Sequence, residues 1–201
     1  MKGRFPLCYL SSILACIAYP AFTTVAYMKY PEVFSPQTNW LSDLGNLEVS
    51  PIGGPYYNIG VVIAAICTAL WFLGLGKWKL QTPPVQARLL RIAQSAGVLA
   101  AIGLFLSALY PINLATIHAL WSKVHFIASG VGFAFAVTAL RYHPRFSKGL
   151  MATGAFASVM PFLIYVSGET YWLEWAAVGV FLVFITWVGV ATKRLTAQTV
   201  A

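Results

Sequence analysis

Six long apolar stretches, separated by short polar segments, run the length of the chain, near residues 7–28, 56–76, 89–109, 117–140, 150–166 and 172–191. Each approaches the ~20 residues that an α-helix needs to cross a bilayer. The first stretch follows Lys2 and Arg4, as a secretory signal would. It is longer than the ~7–15-residue core of a signal peptide. Tyr19-Pro20 followed by Thr23-Thr24 also offers no clean small-residue cleavage site, so it is read as a retained span. No linker, heptad array or low-complexity tract divides the chain, which predicts a single integral membrane domain over residues 1–201. The fold class is therefore all-α, a polytopic membrane protein built as a six-transmembrane-helix bundle.

Composition narrows the class. Only 9% of the residues are charged, against 59% hydrophobic and 15% aromatic, whereas about 25% of a soluble domain is charged. That shortage excludes a soluble enzyme, a disordered tail and a nucleic-acid-binding domain. The three cysteines, Cys8, Cys16 and Cys67, all lie in apolar runs and read as reduced packing residues. Small residues such as Gly97, Ala101, Ala128, Gly130 and Gly132 allow close helix approach in lipid.

Charge adds orientation. Of the 13 basic residues, Lys2, Arg4, Lys77, Lys79, Arg88, Arg91, Arg141, Arg145, Lys148, Lys193 and Arg194 fall on one side of the predicted spans. The 5 acids, Glu32, Asp43, Glu48, Glu169 and Glu174, fall on the other. The positive-inside rule makes the basic side cytoplasmic, with both termini inside and the protein integral to the cell membrane. The net charge of +8 then reflects topology and contact with anionic lipid headgroups, and implies no nucleic-acid partner. No span carries Lys or Arg at its middle, so a voltage sensor or retinal-binding lysine has no candidate.

The first outer loop, residues 29–55, is long for a connection without structure of its own. Ser35-Pro36 suits a helix start and Gly45-Asn46 a stop. With Trp40, Leu41 and Leu44 as an apolar stripe between them, the loop predicts a short amphipathic helix over 36–44. Ser42 and Asp43 face partly away from that stripe. Asn58 lies about one turn into the second span and needs a hydrogen-bonding partner there. These residues also suit turns and caps, so a purely structural role competes with a functional one.

The fourth span carries the most pointed pattern. His118, Ser122, His125 and Ser129 are spaced i, i+4, i+7 and i+11 and share one helical face, with Lys123 one position off it. Ionisable residues at membrane depth tend to face the bundle interior and mark function. The two histidines are about 10.5 Å apart along a helix, too far to share one zinc ion easily at bonds of about 2 Å. One histidine with Asp43 and Glu169 or Glu174 is the geometry left for a metal, and no metal or other cofactor is expected. A histidine oriented by a carboxylate beside a hydroxyl also fits proton transfer. Ser42, Asp43, Asn58, His118, Ser122 and His125 are thus the candidates for one outer polar pocket, with Asp43 orienting or charge-pairing His118. No catalytic residue can be assigned.

The segment Asn39-Trp40-Leu41-Ser42-Asp43-Leu44-Gly45-Asn46, followed by Pro51-Ile52-Gly53-Gly54-Pro55-Tyr56-Tyr57-Asn58-Ile59-Gly60, resembles the signature region of a prokaryotic family. This is the "domain of unknown function 998" family of six-span membrane proteins. Leu73-Gly74-Leu75-Gly76-Lys77-Trp78, and Tyr110-Pro111 followed seven residues later by His118, fit the same pattern. The resemblance implies the six-span architecture and matches Ser42, Asp43, Asn58 and His118 to recurring polar positions of the family. His125 rests on the helical-face argument alone. More distantly the chain is similar to eukaryotic six-span lipid-remodelling and autophagy-modulator membrane proteins, a likeness of fold that does not establish function.

These features point first to a protein that binds, or also modifies, a membrane lipid or amphiphile in an outer-leaflet pocket. Whether it is an enzyme is left open. The alternative is a structural or accessory subunit, with partner chains in a larger membrane complex. A transporter fits less well, for want of paired broken helices and charged midplane residues, although Pro20 and Pro161 interrupt two spans.

Overall fold

The computed structural model describes residues 6–168 and 170–198; Lys2, Arg4 and Glu169 lie outside them. Six helices follow the six apolar stretches: α1 (Leu7–Met28), α2 (Gly54–Gly74), α3 (Pro84–Leu109), α4 (Ala115–Leu140), α5 (Lys148–Val166) and α6 (Trp172–Gln198). Two short 3-10 helices, η1 (Leu41–Gly45) and η2 (Leu75–Trp78), complete the secondary structure, and the described residues include no strand. All six helices are long and apolar enough to cross a membrane. Helix α1 coincides with its apolar run, whereas α3 begins earlier and α6 runs on through Lys193 and Arg194. Hydropathy marks only the length in hydrocarbon. A helix continues into the polar region until the backbone finds a stop, and Pro84 suits the first position of α3.

Consecutive helices pack on one another, and α6 returns to α1, so the six form a closed ring in chain order. The solvent preference of the two surfaces is inverted relative to a soluble protein. Leu14, Ile17, Ile66, Leu99, Ile127 and Val183 are exposed on the outside, while Ser12, Gln86, Ser107, His125, Ser129, Glu174 and Thr192 are buried inside. In hydrocarbon an unpaired polar group has no water to bond, so the interior is the place to satisfy it. Cys8 and Cys67 pack inside as read from the sequence, but Cys16 is exposed on the outer face of α1; all three are free.

The centre of the ring is aromatic. The rings of Phe72 and Phe133 stack at 5.4 Å, with Trp71 edge-on to Phe72 at 4.9 Å. Gly97 and Gly132 flank Phe72, in keeping with their packing role. At the α3–α4 crossing, a Cβ on Gly103 would lie 2.7 Å from the His125 amide nitrogen and 2.9 Å from the Trp121 carbonyl oxygen. Only glycine lets α4 approach closely enough to present His125 to α3.

One end of the bundle gathers the basic residues. There the Trp78 indole donates to Thr192 Oγ1 at 2.8 Å. The same indole meets the rings of His143 at 5.0 Å and Phe146 at 6.0 Å. Lys193 lies 4.7 Å from the centre of the Tyr9 ring, bringing the start of α1 to the end of α6.

The other end carries the long loop. The single helix expected over 36–44 is divided. Ser35 and Thr38 close a separate turn, in which the Ser35 carbonyl accepts the amides of Thr38 and Asn39 at 3.2 and 2.9 Å. The helix itself is the five-residue η1. Two side chains make the division: Asn39 Oδ1 accepts the Ser35 amide at 3.2 Å, and Asp43 Oδ2 accepts the Trp40 amide at 2.9 Å. Such local bonds compete with continuous helix. Gly45 ends η1 as expected, but not through a left-handed backbone, since Gly168 is the one described residue with positive φ. Gly45 is needed for contact: a Cβ there would lie 2.5 Å from Asn58 Oδ1 and 2.9 Å from Tyr57 Cδ1.

Candidate functional site

Inside the ring, beneath η1, lies a cavity of about 100 Å³ whose walls come from η1, α1, α2, α3, α4 and α6. By the same measure one water needs about 10–15 Å³, so several waters or a small polar group with part of a chain fit. Its upper wall is polar, with Tyr19, Ser42, Tyr57, Asn58, Ser107, His118 and Glu174. Ser122, His125 and Ser129 continue down the face of α4. The floor is aromatic and aliphatic, including Trp71, Phe72, Phe126, Phe133 and Phe181. The α4 stripe read from sequence is thus one wall of this cavity, while Lys123, beside it, is exposed.

Both histidines are held by α3. His118 donates Nδ1–H to the carbonyls of Ser107 and Tyr110, each at 3.0 Å. Those carbonyls close the C-terminal end of α3, where helical partners run out. His125 is buried and donates Nδ1–H to the Ala100 carbonyl at 3.0 Å. Each ring therefore has its tautomer set by α3, and the neutral imidazole keeps Nε2 as a lone-pair acceptor.

Asn58 donates Nδ2–H to the Gly45 carbonyl at 3.1 Å, fastening η1 to α2. Ser42 turns toward Glu174, whose Oε2 accepts the Ser42 amide at 3.3 Å and the Ser42 hydroxyl at 3.4 Å. Glu174 lies in the first turn of α6 and is 8% exposed. The carboxyl thus meets the start of η1, whose Ser42 amide it accepts. Nearby, the Trp175 indole donates to the Asn39 carbonyl at 3.0 Å, and Trp40 meets Tyr171 at 5.0 Å.

Asp43 is placed differently from its expected role. Its carboxylate takes the Trp40 amide and is absent from the cavity wall, and His118 takes its bonds from α3. Burial pushes the Asp43 carboxyl above its usual range, opposed by the bonds from Trp40 and Asn39. The acid of the cavity is Glu174. The sequence pattern offers Glu174 only as one of several metal partners, and its signal is an acid two residues into an apolar run. Ser107 and the Tyr19–Tyr57 hydroxyl pair, 3.2 Å apart, carry no local sequence pattern that would mark them as cavity groups. Among the described residues no group of three His, Cys, Asp or Glu side chains lies close enough to hold a metal ion.

A closed ring of six membrane-crossing helices, polar within and apolar without, defines an integral membrane protein. The chain matches the family described as "Protein of unknown function (DUF998)" over residues 13–195 and belongs to that family. Neither the curated proteins nor the solved structures contain a match.

Proposed function

We propose that the protein binds a lipid or other amphiphile in the cavity beneath η1, through Ser42, Asn58, His118, Ser122, His125 and Glu174. The supporting observation is that one cavity joins a polar upper wall to an aromatic floor. An amphiphile has that same division, and ligand sites are commonly apolar pockets with a few placed polar groups. Asp43 serves the site indirectly, by shaping the loop that covers it. On this reading the loop end faces the outer leaflet and the basic end faces the cytoplasm. The whole chain acts as one domain. Modification of the bound amphiphile is a narrower form of the same proposal, with an imidazole Nε2 as the available proton acceptor.

Native mass spectrometry of gently extracted protein tests the proposal. The expected result is a retained lipid or amphiphile on the wild-type chain, lost when Ser122→Leu fills the cavity. Stoichiometric partner chains with no retained small molecule would favour the accessory-subunit reading instead.

A further inference from the structure

We infer that the cavity selects amphiphiles whose polar end is a protonated primary amine, an inference that rests on the amphiphile site proposed above. The argument is an inventory of hydrogen-bonding groups on the cavity wall. Nearly all of its fixed donors already have partners within the protein. Asn58 Nδ2 gives one of its two hydrogens to Gly45, His118 Nδ1 donates to Ser107 and Tyr110, and His125 Nδ1 to Ala100. The hydroxyls of Ser107 and Thr68 donate to the carbonyls of Leu104 and Ala64, each at 2.8 Å. Ser42 gives both its amide and its hydroxyl hydrogen to Glu174.

What is left is mostly lone pairs. Asn58 keeps Oδ1 and one N–H, each imidazole keeps Nε2, and Glu174 keeps the lone pairs not taken by Ser42 and the Leu41 amide. Of the wall's hydroxyls, Ser122 and Ser129 can serve as donor or acceptor. One hydrogen of the Tyr19–Tyr57 pair is also unused by the pair itself. The wall therefore receives hydrogen bonds more readily than it gives them.

Charge points the same way. Glu174 is the one carboxylate on the wall, and no Lys or Arg lines the cavity. A carboxylate set in an apolar bundle is costly without a cation. An ammonium group supplies that charge together with three N–H donors, which is the complement of this wall. Tyr19 and Tyr57 add aromatic faces that attract a cation. A carboxylate or phosphate headgroup would instead meet Glu174 and a row of lone pairs, a mismatch that discriminates against it. The apolar chain of the ligand would run toward Trp71, Phe72, Phe126 and Phe133.

Native mass spectrometry of the full chain in maltoside micelles, titrated with dodecyl probes of one chain length, tests the inference. The probes are dodecylamine, dodecanol, dodecyltrimethylammonium and dodecanoate. The expected ranking places dodecylamine first, one-to-one, and about tenfold tighter than dodecanol, as a charge-assisted bond implies. Trimethylammonium keeps the charge but cannot donate, so it falls below the amine, and dodecanoate binds weakest. In Glu174→Gln the gap between amine and alcohol should close. Dodecanoate binding as tightly as the amine would overturn the inference and leave the amphiphile site standing. A preference for the amine that survives in Glu174→Gln would overturn it too. If no probe binds one-to-one, the amphiphile reading itself fails. The ranking in the unaltered protein decides the matter even where the Glu174 variant does not fold.

Discussion

Asp43 and Glu174 are both acids at the loop end, and hydrogen bonding gives them different work. Asp43 caps η1 from within, through the Trp40 amide, while Glu174 holds η1 from outside, through Ser42. Asp43→Ala should cost about 1 kcal/mol, as lost caps do. Amide exchange across residues 41–45 should be faster in that variant, whereas Asp43→Asn keeps an acceptor oxygen and should exchange nearly as wild type does. The pH dependence has a definite sign. Burial raises the Asp43 carboxyl in the folded protein, so the folded state holds its proton more tightly. Its contribution to stability is full below the unfolded value of about 3.9 and is lost as pH rises through the raised folded value. The stability of wild type relative to Asp43→Asn should therefore fall between pH 4 and neutral in a thermal-unfolding series. A difference that stays flat would show that burial does not govern this carboxyl.

The helices differ in how much of them a sequence reading can reach. A span is visible because an apolar run of about 20 residues is a local property. The i, i+4, i+7, i+11 stripe is visible for the same reason, since one helix fixes its own face. The rest of the cavity required knowing the order of helices around the ring. Ser42 and Glu174 are 132 residues apart in sequence, and nothing local pairs them. The interrupted loop helix was hidden by a competition among short-range bonds: Asn39 and Asp43 each close their own turn, so good start and stop signals bracket two elements. Gly45 shows the same limit. Its sequence position suggested backbone freedom, and its real constraint is Asn58 on another helix. Gly45→Ala should accordingly lift η1 from α2 and cost about 1–3 kcal/mol, as overpacking does. Gly179→Ala is the control, because a Cβ there meets nothing within 4 Å in a helix that favours alanine. It should be neutral or stabilising by about 0.5–1 kcal/mol. Equal losses at both sites in a thermal-unfolding comparison would remove the contact argument.

For the molecule in its bilayer, the asymmetry between the two ends becomes a prediction of orientation. Lys77, Lys79, Arg88, Arg91, Arg141, Arg145, Lys148, Lys193 and Arg194 share the end tied together by Trp78. Glu32, Asp43, Glu48 and Glu174 share the other. A juxtamembrane cation gains about 1 kcal/mol from an anionic cytoplasmic leaflet, so the two orientations differ by several such terms. Glu48 and Gln81 are both exposed and lie at opposite ends, which makes them suitable reporters. In a chain with Cys8, Cys16 and Cys67 replaced, an impermeant maleimide should label Glu48→Cys in intact cells. It should reach Gln81→Cys only after permeabilisation. The reverse pattern would turn the bundle over, and the cavity would then draw its amphiphile from the inner leaflet. The ring, the η1 contacts and the set of lone pairs facing the cavity are internal to the chain and would be unchanged by that inversion. Labelling therefore decides which pool of amphiphiles meets the site, while the headgroup ranking decides which member of that pool it holds.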